Sequence, residues 1–289
     1  MAQASMQDIK RRIRSVSNTK QITKAMELVS SAKLKKARDK LDKTRPYFNT
    51  IVRSIQEILS STKDIKHPLL ESREIKKRAY IAITGDRGLC GGYNSNITRL
   101  VQNSVENKDD AVIIVIGQKG RDFFKRRDYD IRGTYLNISE RPTYSDASNI
   151  GSLVLDLYKN GEVDEVNLVY THFKSTISYQ PKVMKLLPAE IDGDVNEEDI
   201  DEDKDAIEYE PSPEEVLSYL IPKYIESTVY GALIESSASE QGARRVAMEN
   251  ATDNAEDMIG DLNLEYNRAR QASITQEISE IVGGAEAQK

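Results

Sequence analysis

From residue 6 to residue 59 the chain has no glycine, and its apolar positions recur at intervals of three and four. They run Ile9, Ile13 and Val16, then Ile22, Met26 and Val29, then Phe48, Ile51, Ile55 and Ile58. This spacing predicts one long amphipathic helix, with a local bend where Pro46 removes an intrahelical donor. A second helical stretch opens at Pro211-Ser212-Pro213-Glu214-Glu215, where Ser212 suits the N-cap, Pro213 the first helical position and the two acids the first turn. It continues through Ala251, Ala255, Met258, Leu262, Tyr266 and Ala269 to Ile278 and Ile281, and is expected to stop at Gly283-Gly284. At 1.5 Å per residue the two helices would measure roughly 80 Å and on the order of 100 Å, too long for the inside of a globular domain of this size. Each has a single narrow apolar stripe that needs a partner, and the simplest partner is the other helix in an antiparallel coiled coil. The seam is rich in Ala, Ser and Thr, which allows close approach but buries less than a leucine zipper, by about 0.8 kcal/mol per missing methylene.

Between the two helices, short apolar and β-branched runs at 79–84, Ala111–Ile116 and 166–172 alternate with helical patterns at 94–105, 119–127 and 145–158. Such alternation predicts βαβ units and a small, mostly parallel sheet, with Tyr179–Leu187 as a later strand. The expected fold is therefore α/β: a long antiparallel two-helix coiled coil formed by the N- and C-terminal helices, plus a small central Rossmann-like domain. The expected division is 1–60 for the N-terminal coil helix, 76–190 for the α/β domain, 191–210 for an acidic loop and base strand, and 211–289 for the C-terminal coil helix.

Composition narrows the function classes. The longest uninterrupted apolar run, Ala111–Ile116, is far below the roughly 18 to 20 residues that cross a bilayer, and no apolar stretch follows Met1. A chain that neither spans a membrane nor is exported is expected. One cysteine, Cys90, forbids an internal disulfide, and two histidines, His67 and His172, have no metal-ligand spacing, so a reducing compartment and no bound metal are expected. The net charge of −6 hides an asymmetry, because residues 1–45 hold 13 Lys and Arg against 4 acids, whereas 190–215 hold 14 acids against Lys204 alone. A basic arm is read as a solvated helix face, a surface for an acidic partner, or a nucleic-acid grip. The last would use Lys10, Arg11, Arg12, Arg14, Lys20 and Lys24, but no aromatic residue for stacking precedes Tyr47. The acidic run 191–205 has almost no apolar residues and reads as a mobile surface loop.

One enzyme-like feature stands out: Gly85-Asp86-Arg87-Gly88-Leu89-Cys90-Gly91-Gly92, which leaves the first strand and leads into a helix. Backbone N–H groups of such a turn can cradle phosphate. It is neither G-x-G-x-x-G nor G-x-x-x-x-G-K-[ST], which favours a tight structural turn over a nucleotide site. Cys90 is either a reactive thiol or a small buried side chain, and no histidine lies near it in sequence to activate it. With no serine elbow, no metalloprotease helix and no carboxylate pair in contrasting environments, an enzyme with its own active site is not expected.

Three motifs resemble one family, the γ subunit of F-type ATP synthases. They are Ile9-Lys10-Arg11-Arg12-Ile13 followed by Asn18-Thr19-Lys20-Gln21-Ile22-Thr23-Lys24-Ala25-Met26-Glu27, then Gly85 through Gly92-Tyr93-Asn94, and then Ala243-Arg244-Arg245-Val246-Ala247-Met248 with Asn267-Arg268-Ala269-Arg270-Gln271-Ala272-Ser273-Ile274-Thr275-Gln276-Glu277. The resemblance covers nearly the whole chain. It implies a non-catalytic rotor shaft, without cofactor, whose coil threads the ring of three α and three β subunits. Its base would sit with the ε subunit on the c-ring of the membrane rotor. A shaft without threefold symmetry forces the three β sites into different nucleotide affinities, and proton-driven rotation exchanges them.

Residue by residue, the resemblance implies that Arg270 and Gln271 form a polar catch against a β-subunit loop, with Thr275, Glu277 and Glu280 at nearby coupling positions. Met26 matches the position facing the β-subunit lever, and its other reading is a coil-seam residue. Tyr209 and Glu210 match base residues that meet the c-ring, and the other reading of Tyr209 is a strand partner. The acidic segment 192–205 looks longer than in the simplest relatives, and the cysteine-pair insert of chloroplast versions is absent, so no thiol regulation is expected. The implied location is peripheral, on the cytoplasmic face of a bacterial cell membrane. An autonomous nucleotide-binding α/β module with helical extensions is the alternative reading.

Overall fold

The computed structural model describes residues 6–61, 67–175, 178–189, 210 and 212–286. The acidic loop 191–205 and Tyr209 lie outside the described residues. Two helices bracket the chain, α1 (Met6–Ser61) and α5 (Pro213–Glu286). Between them come β1 (Arg78–Ile83), α2 (Tyr93–Ser104), β2 (Ala111–Ile116), α3 (Gln118–Lys125), β3 (Asp130–Tyr135), α4 (Tyr144–Lys159), β4 (Glu165–Phe173) and β5 (Tyr179–Leu187). The contacts divide the chain into two compact units: a coil unit up to Ser30 and from Arg244, and a sheet unit, Ser31–Ala243.

In the sheet unit the strand order is β3-β2-β1-β4-β5, with β1 to β4 parallel and β5 antiparallel to β4. Strand side chains alternate between faces, so β1 and β2 feed two cores. Ala79, Ile81, Ile83, Val112, Ile114 and Ile116 pack with α4 and with Ile51, Ile55 and Ile58 of α1 and Leu217, Ile221, Ile225 and Val229 of α5. Tyr80, Ala82, Ile113 and Val115 pack on the other face with Ile97 and Val101 of α2 and Phe124 of α3. β3 escapes a reading by hydrophobic runs because it is a half-exposed edge strand whose Asp130, Arg132 and Thr134 face water. The other edge strand, β5, carries Pro181, Lys182 and Lys185, residues that discourage pairing with a further strand.

Helix ends follow local chemistry. Thr143 and Asp146 form a reciprocal capping box at the start of α4. Ser212 caps α5 by accepting the Glu215 N–H on Oγ at 3.3 Å and the Val216 N–H on its carbonyl at 3.1 Å. α1 continues through Pro46, and α5 continues through Gly283-Gly284 to Glu286 rather than stopping there. Glycine lowers helix propensity by about 1 kcal/mol without removing a hydrogen bond, so it weakens a terminal turn without ending it.

Glu226 ties α5 to α4. It is 6% exposed and accepts hydrogen bonds from Tyr144 OH at 2.8 Å, Ser148 Oγ at 3.1 Å and Lys223 Nζ at 2.9 Å. Burial pushes the carboxyl up, but the hydrogen bonds from Lys223, Tyr144 and Ser148 outweigh it and hold the pKa below the usual carboxylate range.

In the coil unit one row of buried and half-buried positions on α1 is Ile9, Ile13, Val16, Lys20, Thr23, Glu27 and Ser30, and one on α5 is Met248, Thr252, Ala255, Ile259, Leu262, Tyr266, Ala269 and Ser273, with Met6, Asp8, Ser17 and Met26 of α1 and residues 244–247 and Ala251 of α5 also buried or half-buried beside them. Both sets step by three and four without a break, the heptad spacing of a left-handed coiled coil. Thr252 Oγ1 donates to Thr23 Oγ1 at 2.8 Å and Lys20 Nζ lies 2.9 Å from Glu256, so the helices run antiparallel. The second predicted stripe is therefore displaced, since Ile22 and Val29 are 61% and 54% exposed and Met26 is only half-buried. Continuing the heptad of Ile9, Ile13 and Val16 puts Lys20, Thr23 and Glu27 in the seam, and Ile22 lies about 100° from Thr23 around the helix. Met258 of α5 likewise faces outward at 54% exposure.

Two outcomes are expected. Glu226→Gln should cost about 2 kcal/mol at pH 7, by weakening hydrogen bonds to a charged group. Because the folded pKa is depressed, the carboxylate's contribution is present above the ordinary carboxyl range and is lost as pH falls through the folded value. Urea midpoints of wild type and variant should accordingly converge in acid. In the coil, Thr23→Cys with Thr252→Cys should close a disulfide on mild oxidation, whereas Thr23→Cys with Ile259→Cys, about 10 Å further along the helix, should not. Non-reducing electrophoresis of the full chain distinguishes them.

Candidate partner interface

The glycine-rich turn is built as a joint within the sheet unit. Asp86 caps the start of α3, the helix that follows β2: its Oδ1 accepts the Gln118 N–H at 3.1 Å and the Asn137 N–H at 3.0 Å, and its Oδ2 accepts from Ser139 Oγ at 2.8 Å. Thr84 Oγ1 takes the Gly120 N–H at 2.9 Å, and Asn94 Oδ1 takes the Gly85 N–H at 2.8 Å. The carboxylate of Glu240, itself 1% exposed, lies so close to Gly85 that a Cβ there would meet it at 2.8–3.0 Å. Two carboxylates and a set of occupied donors make the turn a poor host for an anion. Cys90 is buried beside Tyr93 and Ala243, with Asn94 Nδ2 at 3.2 Å from its sulfur, which fits the small-side-chain reading. Among the described residues no three His, Cys, Asp or Glu side chains gather as metal ligands, and no helix is long and apolar enough to cross a membrane.

The coil unit has the better-developed interaction surface. Arg270, Gln271, Thr275, Glu277 and Glu280 all lie exposed on the last turns of α5. Ser273 Oγ donates to Glu277 at 3.3 Å and Gln276 Nε2 donates to Glu280 at 2.9 Å, which orders part of this face. Met26 sits elsewhere. The register set by Thr23 and Thr252 puts it beside residue 249, about 30 Å along the helix from Arg270. It is flanked by Ile22 and Val29 in an outward stripe at i, i+4 and i+7. Glu210, the described member of the base pair, is exposed.

A further feature went unread at the sequence level. After Ser273 the three-and-four spacing of the seam continues to Gln276 and Glu280, both exposed. Ile274, Ile278, Ile281 and Val282 are 48–72% exposed. Ile278 lies about 200° round from Gln276, so the apolar band has moved to the side away from the seam. By the coil register Met6, the first described residue of α1, falls beside Ala269. The helical angles carry this signal, since Ile278 and Ile281 do not share the face of Ala269.

The ATP synthase family model matches residues 5–288. The chain is 62% identical over 285 residues to the ATP synthase gamma chain of Alkaliphilus metalliredigens, covering 98% of this chain and 99% of that one. It is 52% identical over 297 residues to the sodium-ion-specific gamma chain of Acetobacterium woodii, covering 98% of each. Among solved structures it resembles a chain of the central stalk and c-ring of Tetrahymena thermophila mitochondrial ATP synthase, with a TM-score of 0.62, 30% identity, and coverage of 80% of this chain and 99% of that one. A chain of the Euglena gracilis mitochondrial enzyme gives a TM-score of 0.69 at 22% identity, covering 98% of this chain and 94% of that one. On the match to the family model and to these relatives over nearly its whole length, the chain belongs to the ATP synthase gamma-chain family.

Proposed function

We propose that the chain is the rotating central shaft of an F-type ATP synthase, turning inside a ring of three α and three β subunits and coupling transmembrane ion flow to ATP turnover at the β sites. The observation that most supports this, beyond family membership, is the change of face at Ser273. A helix whose seam turns polar while its opposite side turns apolar is suited to a sleeve that surrounds it, because no single helix partner could cover both sides. Two unlike helices have no threefold symmetry, so three identical surroundings meet three different faces. The ring sites are thereby held in different states, and rotation exchanges them.

In this reading the chain performs no bond chemistry itself. Arg270 and Gln271 form the catch: a guanidinium offers five donors in a planar fork to carboxylates of a β loop, and the amide both donates and accepts. Thr275, Glu277 and Glu280 line the same turns. Met26, in its outward stripe with Ile22 and Val29, faces the β lever. Tyr209 and Glu210 contact the c-ring beside the ε subunit, and the assembly lies peripherally on the cytoplasmic face of the cell membrane.

Reconstitution tests this directly. The chain alone should hydrolyse no ATP, and adding α and β subunits of the same organism should produce ATPase activity that neither α with β nor the chain gives alone. No gain on assembly would contradict the shaft reading. Within the assembled complex, Arg270→Ala with Gln271→Ala should remove about 2–4 kcal/mol of charge-assisted contact, with helicity kept by alanine's propensity. Steady-state ATPase and ATP synthesis should fall at least about tenfold while assembly and circular dichroism are unchanged. Full activity in that double variant would remove the catch.

A further inference from the structure

Apolar packing sets which face of α1 and of α5 meets the sheet, and polar contacts of defined geometry add a finer constraint on the angle of each helix about its own axis. In the sheet unit both helices make such contacts with one short segment, 138–144, between β3 and α4, while α5 also holds β4, its Ser236 Oγ accepting the Thr171 N–H, its Ser239 Oγ donating to the Thr171 carbonyl and its Glu235 pairing with His172. From α1, Lys33 Nζ lies 2.7 Å from the Glu140 carboxylate, and Lys40 Nζ donates to the Pro142 carbonyl. From α5, Ser237 Oγ donates to the Glu140 carbonyl at 3.3 Å, and Glu226 accepts from Tyr144 OH at 2.8 Å. Tyr144 also meets the Tyr230 ring edge-on at 5.7 Å, and the Lys40 ammonium stands 5.2 Å over that same ring.

The same segment is fastened to the sheet. Asp86, at the end of β1, holds Asn137 and Ser139 through its two carboxylate oxygens. Force on the sheet therefore reaches both helices through polar contacts with defined geometry. Lys33 and Ser237 stand in the last turns of each helix before the chain passes, at Ser30 and Arg244, into the coil unit. Lys33 and Glu140 are 34% and 26% exposed at the side chain, so solvent screens the pair only in part.

We propose that the 138–144 segment is a clamp that fixes the rotation of α1 against α5, with Lys33 and Glu140 as positioning residues for torque passed from the sheet unit to the coil. This rests on the shaft reading. A pair that serves as a torque clamp matters most under load, whereas a pair that serves stability alone matters equally with and without load.

The test uses the complete membrane-bound synthase in closed vesicles, with Lys33→Glu, Glu140→Lys, the two combined, and the milder Lys33→Gln and Glu140→Gln. Each single reversal should leave ATP hydrolysis in uncoupled vesicles and the thermal midpoint of the complex unchanged. The ion gradient that hydrolysis sustains, and ATP synthesis against a high ATP/ADP ratio, should fall about threefold, the scale of a partly buried ion pair. The Gln variants should show the same loss in smaller degree, and the swapped pair should restore coupling. Equal performance of single and wild-type complexes under load overturns the clamp. So does a matching loss of uncoupled hydrolysis, or failure of the swap to restore coupling. The shaft reading fails separately, if complex assembled without this chain is as active as complex containing it.

Discussion

A heptad seam buries one narrow face of each helix, and everything outside it must be either solvated or covered by something else. In the coil unit the seam runs from Ile9 to Ser30 on α1 and from Met248 to Ser273 on α5, and its middle is polar. Thr23 and Thr252 satisfy each other there, and Lys20 reaches Glu256 at the rim. Such a seam gives register through specific polar contacts and supplies less apolar burial than leucines would. Several large apolar side chains lie outside it and face outward: Ile22 and Val29 on α1, and Ile274, Ile278 and Ile281 on α5. A chain that turned these residues to water without a partner would expose the kind of patch that associates.

The sheet unit meets a different demand. Its two faces are covered by α2 and α3 on one side and by α4 and the inner parts of the long helices on the other, so α1 and α5 enter the core through Ile51, Ile55, Ile58, Leu217, Ile221 and Ile225. The turn after β1 serves this architecture. Asp86 caps α3 and grips the β3–α4 connection, while Gly85 makes room for the Glu240 carboxylate of α5. A motif that resembles a phosphate loop in sequence is thereby used as a structural joint.

Much of this was readable beforehand, and the omissions have physical causes. The long helices, the strands β1, β2, β4 and β5, and the Ser212 cap follow from periodicity and capping chemistry. β3 was missed because an edge strand with Asp130, Arg132 and Thr134 on its solvent face lacks an apolar run. Ile22 lies outside the seam although it is apolar, because the heptad runs through Lys20, Thr23 and Glu27 and hydrophobicity alone does not mark the buried face. The candidate interface residues rest on resemblance, and the geometry adds that Met26 and Arg270 lie about 30 Å apart along the coil and that the end of α5 reverses its apolar side.

The central claim is that this coil turns inside its partners. It is tested most directly by fixing the three α and three β subunits to a surface, attaching a visible probe to the sheet unit of this chain, and following single molecules during ATP hydrolysis. Unidirectional stepping with threefold periodicity is the expected result. Sustained ATP hydrolysis by complexes in which the probe stays at one angle would contradict it.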